Sequence, residues 1–222
     1  MNPMPPITSA LLWANGIVFL LQSVIGMAAF SGLMLWPLGD YPLGGGEMGS
    51  LFYPWQLLTY GFLHGGIGHI FVNMLAVWMF GASLEYTWGP RRFLIYYLTC
   101  VAGAGVIQLL VATWTTNAGM PPYPTLGASG GVFGVLLGYG MLFPKRQVML
   151  LIPPIPMQAR TLVIVYGALS LFAGMTGAQP GIAHFAHLGG MLFGFGLIQY
   201  WRGRWPFDRR RRDGGAGPWR PH

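Results

Sequence analysis

The stretch PTLGASGGVFGVLLGYGMLFPKR, residues 124–146, decides how this chain folds. A single hydroxyl, Ser129, opens a run of glycines, alanines and aliphatics, and no carboxylate lies within forty residues of it. The run stops at Pro144-Lys145-Arg146, 15 residues after Ser129. At about 1.5 Å of rise per residue that is about 22 Å of helix. A bilayer's hydrocarbon core is about 30 Å thick. If this segment sits in a membrane, its N-terminus is submerged. The loop before Ser129 must then be shielded from lipid or line a wet cavity.

A membrane is what the composition asks for. The chain has 222 residues, of which 54% are apolar and 8% charged. Soluble domains carry about 25% charge, so this chain has too little polar surface to coat a water-soluble globule. Six apolar runs stand out, at about 9–30, 68–87, 92–113, 128–143, 159–176 and 182–201. The expected fold is an all-α polytopic membrane protein of six transmembrane helices in one domain, 1–201. A basic, disordered tail follows at 202–222. The first run is expected to be a mature helix and not a cleaved leader, because Met1 to Ser9 holds no Lys or Arg.

The charges test that count. Arg91 and Arg92 fall between the second and third runs, Lys145, Arg146 and Arg160 between the fourth and fifth, and every other basic residue after the sixth. With six spans all twelve lie on one side, which the positive-inside rule makes cytoplasmic. Both termini are then cytoplasmic. The net charge of +7 reads as topology and contact with anionic lipid, with no nucleic-acid partner. The loop at 31–67, aromatic and rich in Gly and Pro, is expected to be a structured insertion lying partly in the membrane interface. Cys100, the sole cysteine, reads as a buried small hydrophobe.

A second polar residue shares the depth of Ser129. His187, in GIAHFAHLGGMLFGFG, lies 15 residues before Arg202, which again is about 22 Å of helix. Gly130, Gly134 and Gly138 give the fourth span a bare stripe, and His187, Gly190 and Gly194 share a face of the sixth. Small-xxx-small faces let helix backbones approach closely in lipid. That approach is what a serine needs to reach a base within about 3 Å. The stripes are also explained by packing alone. In the second span, His69 and Asn73 share a face at i, i+4, near the same level. They read either as donors to a developing negative charge or as the polar lining of a hydrated crevice. His64 falls at the entry to that span, and His184 reads as a cavity or loop residue.

Three motifs together resemble the rhomboid family of intramembrane serine proteases: GASG at 127–130, AHLGGMLFG at 186–194 and HGGIGHIFVNM at 64–74. They occur in the family's order at the family's spans, over roughly residues 50–200. The resemblance implies a six-helix rhomboid-like bundle with a membrane-lying loop after the first helix and a water-filled cavity open to the outer side. It implies Ser129 as nucleophile, His187 as general base, and an oxyanion hole made by the Ser129 backbone N–H, His69 and Asn73. Phe133 matches an aromatic position that packs on the catalytic histidine. Glu85 matches an acidic residue that ties down the loop. Gln56 stands where many members carry Arg, which removes a charged anchor from that loop.

The five acidic residues are Asp40, Glu47, Glu85, Asp208 and Asp213, none near either motif at the required depth, so a Ser-His dyad replaces a triad. No cofactor and no metal are expected, since neither an HExxH motif nor an intramembrane carboxylate completes a ligand set. The implied substrates are single-pass membrane proteins, and the implied setting is a bacterial inner membrane. The competing reading is a catalytically inactive rhomboid-like factor that holds membrane proteins without cutting them.

Overall fold

The computed structural model describes residues 3–44, 47–149, 154–177 and 183–203. Helix α1 (Pro6–Ile25) starts with proline at its first position, where the missing N–H costs nothing. It ends at Gly26, whose φ of 95° suits glycine. The expected first span of 9–30 is therefore too late at both ends, because Gly26 stops the helix while the apolar composition runs on. A 3-10 turn, Met27–Leu33, follows.

A hairpin of β1 (Asp40–Gly44) and β2 (Glu47–Ser50) comes next, then a one-turn helix α2 (Gln56–Thr59) and a 3-10 turn Tyr60–Phe62. Helix α3 (Ile67–Ala76) runs through a widened π segment, Val77–Gly81, into α4 (Ala82–Trp88). Beyond lie α5 (Pro90–Asn117), α6 (Ser129–Leu142), a second hairpin of β3 (Gln147–Met149) and β4 (Pro156–Gln158), α7 (Ala159–Thr176) and α8 (His184–Trp201).

The all-α expectation needs correction at the two hairpins. In the first, Tyr41 pairs with Gly49. In the second, Val148 pairs with Met157. Both segments are short connections full of Gly or Pro and lack alternating polarity, so no period-2 signal marks them. Their backbone groups still need partners, and antiparallel pairing supplies them locally.

Among the described residues, four stretches are long and apolar enough to cross a membrane: α1, the continuous Ile67–Trp88, α5 and α7. Helix α6 is shorter, at 14 residues. Helix α8 has 18 residues but carries His184, His187 and Gln199, which dilute its hydropathy. Large apolar side chains face outward along these helices, among them Trp13 (70% exposed), Trp78, Phe172 and Met175 (74%). An apolar surface of that extent is a solvent-facing liability in water and an ordinary surface in lipid.

Helix α5 is the centre of the bundle, with Phe93, Tyr96, Tyr97, Cys100, Val101 and Ala104 all buried. The glycine stripe of α6 lies along it. A side chain at Gly130 would meet Ala104, one at Gly134 would meet Cys100, and one at Gly138 would meet Tyr96. The stripe meets these α5 side chains and also the α8 backbone, with Ala186 O near Gly130 and Gly190 O near Gly134. Helix α8 packs on the flank, where Gly190 faces the carbonyl of Gly130. Tyr96 Oη donates to the Gly134 carbonyl at 2.6 Å, satisfying its buried hydroxyl between the two helices.

Glu85 does not tie down the loop after the first helix. It accepts from Ile7 N–H at 2.9 Å, Thr8 N–H at 2.7 Å and Thr8 Oγ1–H at 2.8 Å. The carboxylate caps the N-terminus of α1, where free N–H groups and the helix dipole favour a negative charge. The reason is direction: α4 ends beside the start of α1, at the opposite end from residues 27–66. The loop is held by Gln56, which is fully buried. Its Oε1 accepts from Trp36 N–H at 3.2 Å, and its Nε2 donates to Leu51 O at 2.9 Å and Gly32 O at 3.3 Å. A neutral amide supplies both a donor and an acceptor here, which an arginine lacks.

Candidate active site

Ser129 is the first residue of α6, and a set of backbone contacts fixes the approach to it. Leu35 and Thr125 exchange backbone hydrogen bonds at 2.9 and 2.8 Å, Gln108 Nε2 donates to Thr125 Oγ1 at 3.2 Å, and Gly127 N–H donates to Tyr60 O at 2.9 Å. The loop before Ser129 thus spends these polar groups on protein. None of Tyr60, Gln108 and Thr125 is singled out by motif or period. A buried polar pair such as Gln108 and Thr125 becomes visible only once α5 lies against the loop.

His187 sits one turn into α8. Its Nε2 is 2.9 Å from Ser129 Oγ. The two residues are 58 positions apart in the chain and are brought together by the α6–α8 packing at Gly130 and Gly190. The imidazole lies flat on Phe133, with ring centroids 4.0 Å apart and planes within 8°. Phe133 is four residues, about one helical turn, beyond Ser129. Its ring in turn touches that of Tyr166 from α7, at 6.3 Å between centroids. His187 is only 8% exposed, and its Nδ1 has no hydrogen-bond partner among the described residues.

On the other side of Ser129 stands His69. Gly65 N–H donates to His69 Nδ1 at 3.3 Å, so Nδ1 is the acceptor and the ring proton resides on Nε2. That Nε2 faces Gly127. A Cβ added at Gly127 would stand 2.8 Å from His69 Nε2 and 3.8 Å from Ser129 Oγ. Gly127 also has φ of 129°. A side chain there is excluded by strain and by the imidazole together. Asn73, buried on the same face of α3, donates through Nδ2 to His69 O at 3.0 Å, leaving its second amide hydrogen uncommitted by that bond.

His64 lies beneath His69, edge to face at 5.1 Å between ring centroids. It is fully buried, and burial together with the neighbouring His69 pushes its imidazole down to about 4. It also borders a cavity of about 240 Å³ with Gln22, Ser23 and Met27. Gly194 packs against Tyr96 and Cys100 and does not touch Ser129. Glu85 belongs to the far end of the bundle, as described above. Among the described residues no group of three or more His, Cys, Asp or Glu is placed to hold a metal ion.

Comparison with known proteins adds a family. The model of the Rhomboid domain matches residues 52–203, which contain Ser129, His187, Phe133, His69 and Asn73. The chain belongs to the rhomboid family. It is 32% identical over 158 residues to Rhomboid protein 1, mitochondrial, of Saccharomyces cerevisiae, covering 71% of this chain and 45% of that protein. It is 33% identical over 143 residues to Rhomboid protease GluP of Bacillus subtilis, covering 64% of this chain and 25% of GluP. It is 34% identical over 151 residues to Presenilin-associated rhomboid-like protein A, mitochondrial, of Danio rerio, covering 65% of this chain and 38% of that protein. The chain thus spans less than half the length of these relatives. With its apolar helices, this rhomboid is an integral membrane protein.

Proposed function

We propose that this rhomboid is an intramembrane serine endopeptidase that hydrolyses peptide bonds in or near the transmembrane segments of other membrane proteins. The observation that carries this reading is the 2.9 Å approach of His187 Nε2 to Ser129 Oγ. Ser129 Oγ attacks the peptide carbonyl carbon while His187 Nε2 takes its proton. The carbonyl oxygen, now negative, is received by Ser129 N–H, which is free at the start of α6, by His69 Nε2–H and by the second amide hydrogen of Asn73. The C–N bond then breaks, and His187 returns the proton to the leaving amine. Water, deprotonated by His187, attacks the ester, and its collapse restores the Ser129 hydroxyl. Phe133 holds the imidazole plane in the role a carboxylate fills in a triad.

In this reading the chain crosses the membrane six times, α6 and α8 included. Both termini are cytoplasmic and the cavity opens outward, as the one-sided placement of Lys and Arg indicates. The loop of residues 31–67 lies in the outer interface, with Trp55 51% exposed. The setting is a bacterial plasma membrane, and the substrates are single-pass proteins whose helix unwinds near its outer end. The tail at 202–222 contacts anionic lipid. Its residues from 204 onward lie outside the described ones. A serine-directed fluorophosphonate tests the site without a known substrate. Labelling of the detergent-purified protein at Ser129, lost in Ser129→Ala, is the expected result. A wild-type protein that resists the probe while properly folded contradicts the reading and favours a binding factor that does not cut.

A further inference from the structure

Two buried nitrogens, one on the dyad histidine and one on its neighbour His184, have no partner among the described residues, and their rings pack against each other. His184 Nε2 and His187 Nδ1 are both enclosed and both unbonded among the described residues. The residues are i, i+3 on α8 and share a face. Their rings meet edge to face, 6.0 Å between centroids at 86°. Each side chain is only 8% exposed. Leaving either nitrogen unpaired in such a place is costly. One water with hydrogen bonds of about 2.8 Å on each side bridges about 5 Å, which fits between rings at this separation.

We propose that His184 is a positioning residue: through one bound water it holds the Nδ1–H of His187, so that Nε2 is the nitrogen presented to Ser129. The inference rests on the protease reading above and deepens it. A neutral imidazole has one N–H and one bare nitrogen, and the bond made by one nitrogen sets the state of the other. A water accepting from His187 Nδ1–H and donating to His184 Nε2 fixes the productive tautomer. When His187 takes the Ser129 proton, the same chain of hydrogen bonds receives the new positive charge. Phe133 supplies the plane of the ring, and His184 supplies its rotation within that plane. The other titratable groups around the pair are His69 from α3, Tyr166 from α7 by way of Phe133, and Tyr60 and Cys100 around the glycine junction. No described carboxylate, lysine or arginine contributes.

The test measures the rate of fluorophosphonate labelling against pH for wild type, His184→Phe, His184→Gln and His187→Ala in the same detergent. In the labelling step Oγ bonds to phosphorus, the P–F bond breaks, fluoride leaves and the hydroxyl proton goes to His187. Phenylalanine keeps the ring and removes the nitrogen, whereas glutamine keeps an acceptor at the end of the side chain. His184→Phe is expected to label about tenfold more slowly, with the acid midpoint lowered by about one pH unit, because the imidazolium loses a hydrogen bond. His184→Gln is expected to recover most of both. A merely structural role moves neither the midpoint nor the Phe-to-Gln recovery. An acid midpoint that stays or rises in His184→Phe overturns the proposal, as does a His184→Gln that labels no faster than His184→Phe. A reading independent of variant folding comes from ¹⁵N spectra of imidazole-labelled wild type: His187 protonated at Nδ1 is expected, and protonation at Nε2 overturns it. If His187→Ala labels at the wild-type rate, the dyad itself is refuted, which is a different pattern from failure at His184 alone.

Discussion

Replacing Gly190 by alanine tests the geometry most severely for the smallest chemical change. The added methyl would enter the space held by the Gly130 carbonyl, with the Gly130 carbonyl carbon and Cα behind it. Backbone inside α6 cannot rotate aside as a side chain would, so α8 must withdraw by about 1 Å or more to restore van der Waals distance. His187 lies three residues away on the same face and moves with it. The 2.9 Å contact between Ser129 Oγ and His187 Nε2 then lengthens past about 3.5 Å, where a hydrogen bond no longer holds. A misplacement of about 1 Å in a reacting pair costs about a hundredfold in rate. Overpacking costs about 1–3 kcal/mol in stability.

The assay is the fluorophosphonate labelling rate together with a thermal melt in detergent. Gly190→Ala is expected to label about a hundredfold more slowly and to melt several degrees lower. Gly16→Ala is the control, because a methyl there meets nothing within 4 Å on the outer face of α1; its labelling rate should match wild type and its melting temperature should not fall, since alanine favours a helix over glycine. A Gly190→Ala protein that labels at the wild-type rate and melts at the wild-type temperature would refute the claim that bare backbone contact sets the dyad distance.

Other perturbations separate chemistry from scaffold. Phe133→Leu removes the face on which His187 lies and is expected to slow labelling about tenfold with a change in melting temperature of only a few degrees, since the ring is half-buried. Glu85→Ala leaves the N–H groups of Ile7 and Thr8 without their acceptor and is expected to lower stability by about 2–3 kcal/mol while the folded fraction labels normally. Unfolding experiments at graded pH should show stability falling as pH drops from 6.5 to about 4. Over that window the unfolded chain takes up a proton at His64 that the folded state refuses. His64→Phe should flatten that slope, and an unchanged slope would show that other groups carry it.

How much of this was legible in the sequence follows from what kind of signal each feature leaves. The expectation of a shared depth for Ser129 and His187 counts each back from its own basic anchor, and the helices that carry them run from Ser129 to Leu142 and from His184 to Trp201. The fifth apolar run, 159–176, coincides with α7 because Gly177 in a left-handed conformation marks its end. Helix α5 starts at Pro90, two residues before the expected run, because proline is welcome in a helix's first turn. Glu85 illustrates the opposite limit. Its residue type was informative, but its partners on α1 lie 77 and 78 positions away, and no local pattern points to them. Gln56 read as a lost anchor because the charge was missing, whereas a buried amide bonds in both directions and needs no charge.

Cleavage of a membrane substrate by purified protein is the most direct check on the central claim, that Ser129 and His187 form one hydrolytic unit. A single-pass reporter reconstituted with wild type, Ser129→Ala and His187→Ala should be cut by wild type alone, each variant falling by at least about a thousandfold. Cleavage that persists in either folded variant would contradict the account.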